Sequence, residues 1–241
     1  MMQAIKSVLF DFGGTLFDYR DLEKAERECL IHMADYLGVE ATAEEILALY
    51  RQAMGKVFMA YLPRKFYLHR DLFRDAFMEL LQGLGVEPHP NHYERYRVKQ
   101  WELHKRDFQL RKGVPETLDR LKRGNMHLGI VSNIDEDQLS LLLEISGIEP
   151  YFDDIISSEK TGSCKPDSAI FNHALARVNC RAEEVLFVGD TPLQDISGAK
   201  KAGMKTVLID TRERYGDSEP ELTPDFIIRE IPELPDLIWN G

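Results

Sequence analysis

The sequence predicts an α/β fold, a Rossmann-like core on a parallel sheet with an inserted α-helical domain. Short apolar runs rich in β-branched residues recur along the chain, and each stops at a small polar or acidic residue. Amphipathic helical stretches separate the later runs, and strands alternating with helices imply right-handed βαβ units in a parallel sheet. Between the first and second runs, residues 18–111 show helical periods and no strand.

The first strand is expected over residues 5–10, ending at Asp11 and the pair Gly13-Gly14. Further strands are expected at 127–132, 154–156, 185–190 and 206–209, with a last one at 225–228. Helices are expected near 114–124, 136–146, 167–178 and 193–202. Inside the insert, Leu22, Ala25, Cys29 and Met33 share one helix face. Thr42 and Glu45 form a capping box ahead of the stripe Ile46, Leu49, Tyr50, Ala53 and Val57. Leu72, Ala76, Phe77, Leu80 and Leu84 make a third stripe, stopped by Gly83 and Gly85, and a charged fourth helix spans 91–108. The core therefore comprises residues 1–17 and 112–241, and the helical cap residues 18–111. Residues 212–224 read as a polar loop.

Composition narrows the function. The 241 residues carry a formal charge of -11 and a pI near 5.2, which argues against nucleic acid as a partner, since that needs a broad basic face. A small anionic ligand stays open, because a few local cations or a metal outweigh global charge. Cys29, Cys164 and Cys180 are odd in number, widely spaced and without a CxxC pair, as expected of reduced thiols in the cytoplasm. No apolar stretch approaches a membrane span or a signal segment.

The strand-end rule gives the chemistry. In parallel sheets ligands bind beyond the carboxyl ends of the strands, so Asp11, Ser132 and Asp190 are expected to meet there. Two anions repel, so a carboxylate attacks a phosphoryl group only when both charges are offset. Asp190 and Asp195 can join Asp11 in an oxygen-rich Mg²⁺ site, with Lys165 as a second positive charge. Ser132 and backbone N–H groups beside Gly13-Gly14 can donate to phosphate oxygens.

Four elements in order, Asp11-Phe12-Gly13-Gly14-Thr15-Leu16, Ser132, Lys165-Pro166-Asp167 and Gly189-Asp190 with Asp195, resemble the four motifs of the haloacid dehalogenase-like superfamily. The resemblance spans essentially the whole chain and is nearest to phosphoglycolate-phosphatase-like members with a helical cap. It implies hydrolysis of a small phosphorylated metabolite, with Asp11 as the nucleophile that forms a phospho-aspartate. Asp11, Asp190, Asp195 and the Gly13 carbonyl would surround Mg²⁺, while Ser132 and Lys165 hold the phosphate with Gly14 and Asn133.

One position departs from that pattern. The aspartate that protonates the leaving group and later activates water is replaced by Gly13. Haloacid dehalogenases lack it too, but they are metal-free and usually replace the Gly-Asp pair of the fourth motif. Two rivals stay open: a metal-free dehalogenase, and a catalytically weak module that binds a phosphometabolite or a protein. Asn133 contacts phosphate or only shapes its loop. The segment Arg64-Lys65-Phe66-Tyr67-Leu68-His69-Arg70 is an inter-helix loop with its aromatics in the bundle, or an anion clamp for the substrate. Tyr19 and Arg20 raise the same question.

Overall fold

The structure is a computed structural model that describes residues 4–209 and 220–240, so part of the expected loop at 212–224 lies outside the described residues. The chain begins in strand β1 (Ser7–Phe10) and then runs through four helices, α1 (Tyr19–Leu37), α2 (Ala43–Tyr61), α3 (His69–Gly83) and α4 (Pro90–Asp107). It continues as α5 (Val114–Arg123), β2 (His127–Ser132), α6 (Glu136–Ser146), β3 (Asp154–Ser157), α7 (Ser158–Thr161), α8 (Ser168–Leu175) and β4 (Val185–Gly189). A wide helical turn at Pro192–Ile196 leads into α9 (Ser197–Lys201), then β5 (Lys205–Ile209), β6 (Phe226–Ile228) and α10 (Leu234–Asn240). Two compact units result: the chain up to Asp18 together with Gln109 onward, and Tyr19–Phe108.

The first unit is the expected α/β core. Its six strands form one sheet in the order β3-β2-β1-β4-β5-β6, and every neighbouring pair is parallel. All residues of β1 and β4 are buried, as a sheet covered on both faces requires, which is why their sequences are unbroken apolar runs. Glycine admits close packing within this unit. A Cβ on Gly129 would stand 2.7 Å from Leu9 Cδ2, and one on Gly198 would stand 2.2 Å from the Phe171 ring.

Strand β1 lies between β2 and β4, so connections diverge to both sides of it and leave a crevice beyond its carboxyl end. Phe10 is level with Ile130 on one side and with Val188 on the other. The Asp11 N–H donates to the Val188 carbonyl at 2.9 Å, so the next residue leaves the sheet at that crevice.

The second unit buries the faces its periodicity marks. Leu30, Met33, Phe77, Tyr96 and Leu103 are almost wholly enclosed, and Phe77 stacks on Tyr96 with ring centroids 4.4 Å apart. Full burial of a ring such as Phe77 is worth roughly 2–3 kcal/mol. The capping box forms as expected: the Thr42 N–H donates to Glu45 Oε2 at 2.8 Å, and the Glu45 N–H donates to Thr42 Oγ1 at 3.3 Å.

Two helices differ from expectation. Helix α8 stops at Leu175, earlier than the span 167–178. The span 193–202 is a wide turn followed by α9, because the Ile196 and Ser197 N–H groups reach back five residues, to the Thr191 and Pro192 carbonyls. Asp195 sits in that turn.

Candidate active site

At the carboxyl end of β1, Asp11 is enclosed, and so are Ser132, Lys165 and Asp195. Ser132 ends β2, and its Oγ donates to Asp11 Oδ1 at 2.8 Å. The Lys165 ammonium donates to the same oxygen at 2.6 Å and to Asp195 Oδ1 at 2.7 Å. Asp11 Oδ1 is thus tied by two donors. Asp11 Oδ2 meets only the Thr15 hydroxyl, at a long 3.5 Å, among the described residues.

Asp195 owes its position to the wide turn. The N–H groups of Asp190 and Thr191 donate to its Oδ2 at 3.2 and 2.9 Å, so both of its oxygens have protein donors. Gly189 is needed beneath it, since a Cβ there would fall 2.4 Å from Asp195 Cβ. The half-buried Asp190 meets the Thr191 hydroxyl at 3.3 Å. Gly14 has φ +83°, and a Cβ on it would lie 2.3 Å from Asp190 Oδ2, so the glycine backbone packs directly against that carboxylate.

Asp11, Asp190 and Asp195 each offer an oxygen within 4.8 Å of the others. Like charges about 4 Å apart repel by roughly 4 kcal/mol at an effective dielectric near 20. Burial, then the Asp11 and Asp195 carboxylates, push the Asp190 carboxyl up to about 7. Asp195 is pushed up to about 6 by burial, with Lys165 opposing and Asp11 adding to the rise. Burial disfavours the Lys165 ammonium, but Asp11 and Asp195 outweigh it and hold the group above its ordinary value. Among the described residues, Lys165 is the one ammonium bonded within this group of three carboxylates, so the donor set fits a divalent cation with oxygen ligands.

The other sequence-marked residues lie in distinct places. The Asn133 side chain is spent on the backbone of Lys165: its Nδ2 donates to the Lys165 carbonyl at 3.0 Å, and its Oδ1 accepts the Lys165 N–H at 2.7 Å. Gly13 pairs with Phe17 in the loop after β1. In the helical unit, Arg64 lies 3.7 Å over the Tyr61 ring, and the buried Tyr67 contacts Tyr61 edge-on and stacks on His69. Tyr61 and Tyr67 are buried in this unit, whereas Arg64 is exposed. Tyr19 and Arg20 open α1 with exposed side chains. Sequence reasoning missed Arg111, whose guanidinium donates twice to the Gly14 carbonyl, at 2.7 and 3.2 Å. No motif marks it, because its partner is a backbone atom far away in the chain.

Known proteins resemble this chain along its whole length. A glyceraldehyde 3-phosphate phosphatase from Methanocaldococcus jannaschii is 37% identical, covering 98% of each chain. A ribulose-1,5-bisphosphate 5-phosphatase from Halopiger xanaduensis is 29% identical over 96% of this chain and 98% of its own. Among solved structures, the magnesium-bound HAD-hydrolase YfnB from Bacillus subtilis superposes with a TM-score of 0.80 at 25% identity, covering 98% of this chain and 99% of its own. The sequence profile of the haloacid dehalogenase-like hydrolases matches residues 8–209, and the chain belongs to that family.

Proposed function

We propose that this chain is a Mg²⁺-dependent phosphatase that cleaves small phosphate monoesters by way of a phospho-aspartate on Asp11. The carrying observation is that Asp11 Oδ1 is held by Ser132 and Lys165, while Oδ2 faces only a distant hydroxyl. A carboxylate fixed through one oxygen presents the other in a set direction, as in-line attack on phosphorus demands. Phosphatase activity is supported by relatives that are phosphatases of a triose phosphate and of a pentulose bisphosphate. Small sugar phosphates are therefore the substrate class of first choice. The three cysteines are free thiols, which suits a cytoplasmic setting, and no helix among the described residues is long and apolar enough to cross a membrane.

Asp11 Oδ2 attacks phosphorus, the bond from phosphorus to the ester oxygen breaks, and the departing alkoxide takes a proton. Water then attacks the phospho-aspartate, releasing phosphate and restoring Asp11. Lys165 and Ser132 offset charge on the nucleophile through both steps. Mg²⁺, held by Asp11 and Asp190 with the Gly13 carbonyl and Asp195, would neutralise the phosphoryl oxygens and the acidic cluster. Both oxygens of Asp195 already accept from protein donors, so its main work is to hold Lys165 and the Asp190 loop. Gly13 supplies no proton, so the leaving group draws it from water or from its own substituents.

The test is phosphate release from a panel of sugar phosphates, with Mg²⁺ and with EDTA, alongside halide release from 2-haloacids. Turnover should need Mg²⁺ and vanish in Asp11→Asn and Asp190→Asn. Halide release that persists in EDTA would instead establish the metal-free dehalogenase. A wild-type enzyme inert toward both substrate sets would leave the binding module.

A further inference from the structure

The chain leaves the sheet-bearing unit after Asp18 and returns at Gln109, and Arg111 stands at that return. Its guanidinium is shared between two partners. Nε and Nη2 donate to the Gly14 carbonyl, and Nη1 lies 3.1 Å from Asp18 Oδ2. Its own N–H donates to the Leu16 carbonyl at 2.8 Å. The neighbouring backbone completes a short ladder in which Gly13 pairs with Phe17 and Phe17 with Leu110. The Arg111 and Asp18 side chains are only 17% and 11% exposed, so solvent screens the pair weakly. The planar fork of arginine suits simultaneous contact with a carbonyl and a carboxylate, which a lysine ammonium cannot reproduce.

The loop held in this way is the one that faces the carboxylates. Gly14 presses on Asp190, and Thr15 reaches toward Asp11 Oδ2. Carbonyl and N–H point in opposite directions across a trans peptide. Fixing the Gly14 carbonyl on Arg111 therefore also fixes the direction of the Thr15 N–H, on the opposite side of that peptide.

We infer that Arg111 is a positioning residue for the reaction: it locks residues 13–15 against Asp190 and so sets the cation site and the nucleophile without touching either. The inference rests on the phosphatase reading above, because the loop matters only if it borders a Mg²⁺ site.

The experiment compares wild type with Arg111→Ala, Arg111→Lys and an exposed control, Arg123→Ala. Mg²⁺ binding is measured by calorimetry without substrate, and kcat, KM and Tm are measured beside it. Arg111→Ala should weaken Mg²⁺ about tenfold and lower kcat more than tenfold, with KM for the phosphate ester within twofold. Arg111→Lys, which keeps the charge beside Asp18, should recover part of both losses, and it carries the test if the alanine variant does not fold. Arg123→Ala should match wild type. Folded Arg111 variants with wild-type Mg²⁺ affinity and kcat, and only a lower Tm, would reduce Arg111 to a structural residue. A wild type that neither binds Mg²⁺ nor releases phosphate overturns the phosphatase reading itself, and this inference with it.

Discussion

Asn133 grips Lys165 by its backbone at both ends of one peptide-like pair, donating to its carbonyl at 3.0 Å and accepting its N–H at 2.7 Å. The side-chain amide imitates a strand partner, and so carries the loop of Lys165 to the end of β2, where Ser132 already faces Asp11. Asn133→Ala removes both bonds at a cost of about 1–3 kcal/mol in stability. Lys165 then loses its set reach to Asp11 and Asp195, and kcat should fall about 10–100-fold with little change in Mg²⁺ affinity. Steady-state kinetics with a chemical-denaturation curve check this, and wild-type kcat in a folded variant would contradict it.

Gly189 has no room for a side chain beneath Asp195. Gly189→Ala should overpack that contact, at about 1–3 kcal/mol. It should also push Asp195 away from the Asp190 and Thr191 N–H groups. The expected outcome is a lower Tm together with weaker Mg²⁺ binding in calorimetry. A lower Tm alone would separate Asp195 from the cation site.

Gly13 offers neither a proton for the leaving group nor a base for water. General acid-base help is worth about 10²–10⁴-fold, and its loss falls hardest on poor leaving groups. Activated esters should therefore turn over faster than the alkyl esters of the sugar phosphates, and Gly13→Asp should speed alkyl esters more than aryl ones. The check is kcat/KM across leaving groups of graded pKa in both proteins. A wild-type rate indifferent to leaving-group pKa, and slowed by the substitution, would point to another proton donor.

Acid should weaken the helical unit through His104. The residue is buried, and burial lowers its imidazole pKa to about 4, with Asp107 opposing. Between that value and the unfolded value near 6.5, only the unfolded chain takes up the proton, so stability falls as pH falls. From pH 7 to pH 4.5 the loss is roughly 2–3 kcal/mol. Glu26, raised mainly by burial, contributes with the opposite sign. The measurement is therefore a difference: wild type should lose more than His104→Leu over that range, and parallel pH profiles would refute it.

The fold class was open to reading because it depends on local pattern. Buried strands read as apolar runs, amphipathic helices as stripes, and a parallel sheet puts the residues after β1, β2 and β4 at one end. Asp11, Ser132 and Asp190 needed nothing more than that rule. The four helices of the insert were legible for the same reason, down to the capping box of Thr42 and Glu45. Other features are decided through space. From the wide turn at Pro192–Ile196, Asp195 meets the N–H groups of Asp190 and Thr191, and no helical period encodes that turn. Of the two readings left open for Asn133, its bonds to the backbone of Lys165 give it a part in shaping that loop. Arg111 found the Gly14 carbonyl across 97 residues of chain. The sequence by itself determined which residue types stand at the strand ends, because hydrophobic burial and strand period act locally. Only the tertiary structure decided which donor meets which acceptor, because a hydrogen bond depends on distance and direction between atoms that the chain brings together only when folded.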